Sequence, residues 1–406
     1  MESNNTSFRR YIFLFFAILV LRLALEFFSS GRLFTFFDVM HIGLWFVFIV
    51  MAFLLQLHLF SGENIIKVTK LVITCFTIAL TAPIIDILVS WGQGAKMNYL
   101  SINSAKDILW TYVTIGGSSL TRGATLGIRI EIVLLVIACF NYVYTKRSSI
   151  VRGLIAAICI YTILFLSGAI PYFLNKIVNC FQLQYGPEDQ STLLLLLTVD
   201  VFLLFIFVWR KSGNYLLQLV KKAPWGSVLN VISLFFAGVI LALKNYPDNW
   251  KLDPTTFFWF PLLFALGFCF ITLFSLKINT INTGKFYWEN GILFLLLLIS
   301  SLISARTFFS AALIWGLLFL LYEPPLLLVK IPFLNSLLKA MAALAVAFLG
   351  FTTFGAPMIG FPPKWILSVL TIGFIEGTIL QHVKPEKRQW IALAFLPLSI
   401  LLLYMI

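Results

Sequence analysis

Charge is what this chain has least of. Of its 406 residues only 11% are Asp, Glu, Lys or Arg, against 61% apolar and 16% aromatic. A surface so poor in charge excludes a conventional soluble domain and implies an all-α polytopic membrane protein. Histidine is nearly missing as well, and His41, His58 and His382 are too far apart in sequence to propose a metal site. The cysteines (Cys75, Cys139, Cys159, Cys180 and Cys269) form no C-x-x-C pair and read as small hydrophobes within or beside apolar runs. No phosphate-cradling glycine loop, G-x-S-x-G elbow or dinucleotide fingerprint occurs. Acids are outnumbered by bases, 16 to 29, for a net charge of +13. The bases lie in small groups between apolar runs, which marks membrane topology and argues against a nucleic-acid partner.

What the chain has in quantity is apolar runs of the length that crosses a bilayer, about 20 residues. Thirteen spans are expected, in the first half at 11–29, 37–60, 66–90, 126–145, 150–174 and 192–210. In the second half they fall at 227–243, 256–276, 290–304, 308–322, 334–354, 365–381 and 390–405. Arg9 and Arg10 precede the first span, which lacks a small-residue cleavage site and so reads as an anchor. Lys67, Lys70, Lys146, Arg147, Arg210 and Lys211 then fall on alternate loops, predicting a cell-membrane protein with a cytoplasmic N-terminus and an external C-terminus.

Ionisable residues inside spans are costly and therefore informative. Arg22 and Glu26 are four apart on one helix face and can pair. Asp200 lies in a leucine-rich span with no local cation, and Asp86 follows Pro83 near the end of the third span. Two readings stay open for these residues, a buried polar site between the first and sixth spans or a helix–helix clamp. A transporter would use Arg22, Glu26 and Asp200 as charged steps of its pathway. The longest polar stretch, 91–125, carries a short apolar patch at 108–115. It reads either as a solvated loop or as a re-entrant or interfacial segment, in which Asp86, Arg122 and Arg129 would face an anionic headgroup.

A second kind of reading comes from residues 271–289, ITLFSLKINTINTGKFYWE, where a short polar loop interrupts the apolar pattern. With Ile278–Asn282 aligned to an I-N segment, the stretch resembles the first motif of the UbiA prenyltransferase superfamily. The segment Tyr322-Glu323-Pro324-Pro325-Leu326 leading to Lys330 is similar to that family's Y-S-P-P-L-x-L-K-R stretch. Ala223-Pro224-Trp225 with Gly238 looks like its first helix, and FIEGTILQHVKPEKRQW occupies the place of its second motif. The resemblance covers about 223–406, some seven of the family's nine helices.

This resemblance implies an intramembrane transferase moving an isoprenoid chain onto an acceptor. Thr272, Ser275, Asn279 and Lys285 would head the pocket as catalytic residues, and Tyr322, Lys330, Glu376 and His382 would bind substrate. Where the family has aspartates, Thr272, Ser275 and Asn279 offer neutral oxygens only. Mg²⁺ prefers carboxylates, so no cofactor is firmly expected, and Mg²⁺ enters only if acids come from outside the usual motif. The domain organisation expected is a six-helix membrane domain, 1–222, of no recognised family, and a seven-helix UbiA-like domain, 223–406. Function then reads as prenyl transfer or a catalytically altered relative of it, with an isoprenoid or other membrane lipid as partner. Non-enzymatic lipid binding or scaffolding, and transport, are the alternatives.

Overall fold

The computed structural model describes residues 2–30, 35–92, 94, 99–102, 104–116, 124–183, 188–222, 225–247, 331–353, 360–383 and a few isolated positions. The expected spans at 256–276, 290–304, 308–322 and 390–405 lie outside the described residues apart from those isolated positions. Among the described residues the regular structure is entirely helical. Eight helices there are long and apolar enough to cross a membrane, and a shorter apolar helix covers Leu229–Asn245. The chain is an all-α, multi-pass membrane protein. It divides into two compact units, 1–182 with 187–213 and 183–186 with 214–406, so the division falls inside a helix.

In the first unit, α1 (Glu2–Ser30) is followed by α2 (Phe36–Ser61). A reciprocal capping box starts α2: the Thr35 hydroxyl accepts from the Asp38 amide, and the Asp38 carboxylate accepts from the Thr35 amide. Gly62 ends α2 at φ 65°, a left-handed conformation that costs glycine nothing. The third span is not one uniform helix. Between α3 (Ile65–Cys75) and α4 (Thr81–Val89) the backbone tightens to 3₁₀ over Phe76–Leu80. Pro83 has no N–H to return to a preceding carbonyl, which is a sufficient local reason for the break.

The short helix α5 (Ala105–Val113) lies between this span and α6 (Leu126–Arg147). A left-handed Ser148 turns the chain into α7 (Ile150–Gly168). The expected fifth span, 150–174, therefore stops early: Ala169 breaks it and α8 (Ile170–Cys180) begins with Pro171 in its first turn. Finally, α9 (Glu188–Lys222) carries the sixth span. The core of this unit gathers Phe46, Phe53, Val68, Phe76, Val143 and Ile160 from α2, α3, the 3₁₀ turn, α6 and α7. Cys75, Cys139, Cys159 and Cys180 are free thiols.

The second unit's described part is α10 (Trp225–Asn245), α11 (Pro332–Thr353) and α12 (Pro363–His382). Here backbones meet almost directly. A Cβ on Gly238 would strike the Ala347 carbonyl, and one on Gly350 would strike that of Phe235. Gly373 and Gly377 likewise lie against the Cα atoms of Ala340 and Ser336. This is small-residue packing of the kind that lets membrane helices gain dispersion contacts where no hydrophobic drive separates helix from lipid. The pairs Gly373–Ala340 and Gly377–Ser336 run α12 antiparallel to α11.

Candidate functional site

The first unit draws ionisable groups together from three helices. Arg22 and Glu26 on α1 form the pair expected from their spacing, with 3.3 Å between Nη2 and Oε2. They are 1% and 4% exposed, so this is a buried ion pair and not a surface one. The Arg22 guanidinium also lies 5.5 Å from the Phe46 ring centroid on α2, a desolvated cation–π contact.

Asp86 on α4 is buried and bonded to the start of α6. Its Oδ2 accepts from the Thr125 hydroxyl at 2.6 Å and its Oδ1 from the Gly127 amide at 2.8 Å. Thr125 is the N-cap of α6, so the carboxylate meets a helix N-terminus with its outward N–H groups and positive dipole end. The bond requires close approach, and Gly127 provides it: a Cβ there would run into the Ala82 carbonyl of α4. Arg129, the second residue expected at a headgroup, donates its Nε–H to the Ala124 carbonyl at 3.0 Å. Arg122 lies outside the described residues.

Glu131, one turn further along α6, completes the group. It is buried and lies within electrostatic range of Arg22, Glu26 and Asp86. Glu26 and Asp86 lie within two turns of the C-terminal ends of α1 and α4, and Glu131 within two turns of the start of α6. Sequence reasoning passed over Glu131, although an acid five residues into an apolar span carries the same signal as Asp200.

Part of 91–125 packs on this end of the unit. A Ser104–Asp107 capping box starts α5. The Tyr112 hydroxyl bonds Thr162 Oγ1 at 2.9 Å, and the Tyr161 hydroxyl donates to the Tyr112 carbonyl. Thr162 lies six residues before the end of α7, so α5 reaches about 9 Å down that helix. Ile102, Phe165 and Ala169 form a small core under it, while Leu109, Trp110 and Val113 remain exposed. The helix α5 is thus one-sided, bonded to α7 through Tyr112 and open through Leu109, Trp110 and Val113.

Asp200 stands apart from this group. It is buried on α9, both carboxylate oxygens lack a hydrogen-bond partner, and no charged group acts on it among the described residues. Among the described residues, Asp200 on the sixth span thus takes no part in the electrostatic group of Arg22, Glu26, Asp86 and Glu131.

In the second unit, Thr272, Ser275, Asn279, Lys285, Tyr322 and Lys330 lie outside the described residues. Glu376 on α12 is described: both its oxygens accept from Asn230 Nδ2 on α10, each at 2.9 Å, and Lys339 on α11 acts on it electrostatically. Beside it, Ser336 accepts from Thr378 Oγ1 at 3.0 Å and from Gln381 Nε2 at 2.8 Å. His382 is exposed at the end of α12 and makes no contact with Glu376. Asn230, which was not singled out from sequence, is the residue that fixes Glu376.

No protein-family model, curated protein or solved structure matches this chain.

Proposed function

We propose that the protein handles an isoprenoid or other membrane lipid through its second unit, as a UbiA-like intramembrane prenyltransferase or a catalytically altered relative of one. The observation that carries this reading is the Asn230–Glu376 clamp with Ser336, Lys339 and Gln381 around it. It supplies a polar head region at one end of a glycine-packed apolar bundle, at the one acid that the second motif keeps near the membrane. A lipid with a polar terminus fits that arrangement, its chain along the helices and its head at the clamp. Altered chemistry follows from the same residues, because Glu376 is already engaged by an amide and a lysine. Mg²⁺-diphosphate chemistry then depends on acids contributed from elsewhere in the chain.

The distribution of bases supports an orientation with the N-terminus cytoplasmic and the C-terminus external, which puts the clamp on the cytoplasmic side. Native mass spectrometry of the purified protein with polyprenyl diphosphate, with and without Mg²⁺, tests the reading. Mg²⁺-dependent retention with release of diphosphate establishes a transferase. Retention indifferent to Mg²⁺ leaves a lipid-binding or scaffold protein, and no retention ends the lipid reading.

A transporter is the second reading, favoured by the 3₁₀ break in the third span beside Asp86, Arg22, Glu26 and Glu131. Interrupted spans with charged groups beside them mark many transport pathways. Under it, Asp86→Asn abolishes substrate uptake by proteoliposomes while the protein stays folded.

A further inference from the structure

The two faces of the short helix α5 differ in what they need. Thr111 is buried, and Ile108 and Tyr112 pack on the small core of Ile102, Phe165 and Ala169. Lys106, Leu109, Trp110 and Val113 are exposed, and their spacing puts them on one stripe of the helix. Leu109, Trp110 and Val113 are 69%, 61% and 67% open. The nearby helix α8 is built the other way. It packs on the same small core through Tyr172 and Phe173, yet its open side carries Asn175, Lys176 and Asn179. One helix of the cluster presents an apolar stripe and the other a polar one, which suits them to different media.

The attachment of α5 says which medium its stripe meets. Its Tyr112 hydroxyl bonds Thr162 Oγ1, and its Tyr112 carbonyl accepts from the Tyr161 hydroxyl, both on α7. Thr162 stands in line with the open residues Val151, Ile155, Ile158 and Leu166, at helical spacing on one face of α7. An open apolar face on a membrane span is its lipid side. The helix α5 is thus fastened along the lipid side of α7, about 9 Å short of the end of that helix, and its own apolar stripe extends the same surface.

We infer that α5 is an interfacial helix docked on a phospholipid leaflet, with Leu109, Trp110 and Val113 at the boundary of headgroups and acyl chains. Lys106, one turn back on the stripe, reaches headgroup phosphate along an apolar stem. Trp suits this level because an apolar ring carries a polar N–H. The inference stands independently of the lipid reading of the second unit.

Photolabelling of the unmodified full-length protein in nanodiscs tests it. Two phosphatidylcholines are compared, one with a diazirine near the ester of its acyl chain and one with the diazirine at the chain end. Adducts are mapped by mass spectrometry, and deep-probe adducts on Ile155 or Ile158 of α7 verify the insertion. The expected result is shallow-probe labelling of Leu109, Trp110 or Val113, several-fold above the deep probe and above Asn175, Lys176 and Asn179 of α8. Labelling of α5 by the deep probe as strong as by the shallow one makes it a re-entrant segment and overturns the proposal. So does equal labelling of α5 and α8. Absent labelling of α5, as water or a second copy over the stripe would give, overturns it too.

Discussion

Where α4 meets α6 in the first unit, a glycine has been used to bring a carboxylate to a helix end: Gly127 lets the backbones close so that Asp86 reaches its amide. Where α10 meets α11 in the second unit, Gly238 and Gly350 bring backbone to backbone with no polar group between them. The second unit's polar clamp lies away from its glycine crossing, toward the Asn230 end of α10. In the first unit, then, close packing serves a charge, and in the second it serves adhesion. Bilayer interiors reward both, because an unsatisfied polar group and a poorly packed helix surface are each costly there.

Filling the α10–α11 crossing gives the largest effect. Gly350→Leu is expected to destabilise the protein by about 3 kcal/mol or more, since backbone cannot yield as a side chain can. Gly43→Leu on α2, where a Cβ meets nothing within 4 Å, leaves stability unchanged. Thermal unfolding of the two variants in one detergent checks the contrast, and equal losses would remove the claim that the glycine contact is specific.

Next comes the charge. Asp86→Ala deletes two hydrogen bonds and strands the Thr125 hydroxyl and Gly127 amide, at a cost of about 2 kcal/mol. Asp86→Asn recovers part of it by keeping an acceptor. Urea or thermal unfolding of the pair gives the ranking, and an Ala variant as stable as wild type would mean that the α4–α6 contact is held by glycine packing alone.

The clamp of the second unit ranks lower. A double-mutant cycle of Asn230→Leu and Glu376→Leu is expected to give a coupling of about 1 kcal/mol, in the range of interhelical membrane hydrogen bonds. A coupling near zero would reduce the clamp to coincidence.

The smallest effect lies outside the spans. Glu63, between α2 and α3, bridges Lys146 at 3.1 Å and Lys67 at 3.8 Å. The hydrogen bond from Lys146 holds its carboxyl below the usual range, with further help from the Lys67 charge. A lowered folded value means that the stabilisation is full above the unfolded carboxylate range and is lost as pH falls through the folded value. Glu63→Gln therefore narrows its difference from wild type only on the acid side, and Lys146→Met removes most of that difference. Unfolding midpoints measured across the acidic range report it.

Residue chemistry that is local in sequence was legible beforehand. The Arg22–Glu26 pair follows from helical spacing, and spans such as Leu126–Arg147 and Pro363–His382 were placed within two residues at each end. Contacts between distant segments were not. The partners of Asp86 are 39 and 41 residues away, and nothing around Thr125 or Gly127 announces them. An apolarity window also runs through backbone breaks, which is why the 3₁₀ segment at Phe76–Leu80 and the stop at Gly168 escaped it, although Pro83 and Pro171 stood beside them. Glu131 escaped for another reason: its meaning came only with Arg22, Glu26 and Asp86, which act on it electrostatically from α1 and α4.

The glycine pair and the acid on α12 also bear on how this chain enters its membrane. Of the eight candidate spans, Pro363–His382 is the least apolar, and Gly373, Gly377 and Glu376 are part of the reason. A segment of that composition leaves the insertion machinery reluctantly when it is alone. Asn230 and the small residues of α11 are synthesised before it, so they are already in place as it emerges. The partner that makes the segment tolerable in lipid is thus made first, and the order of translation does the work of a chaperone.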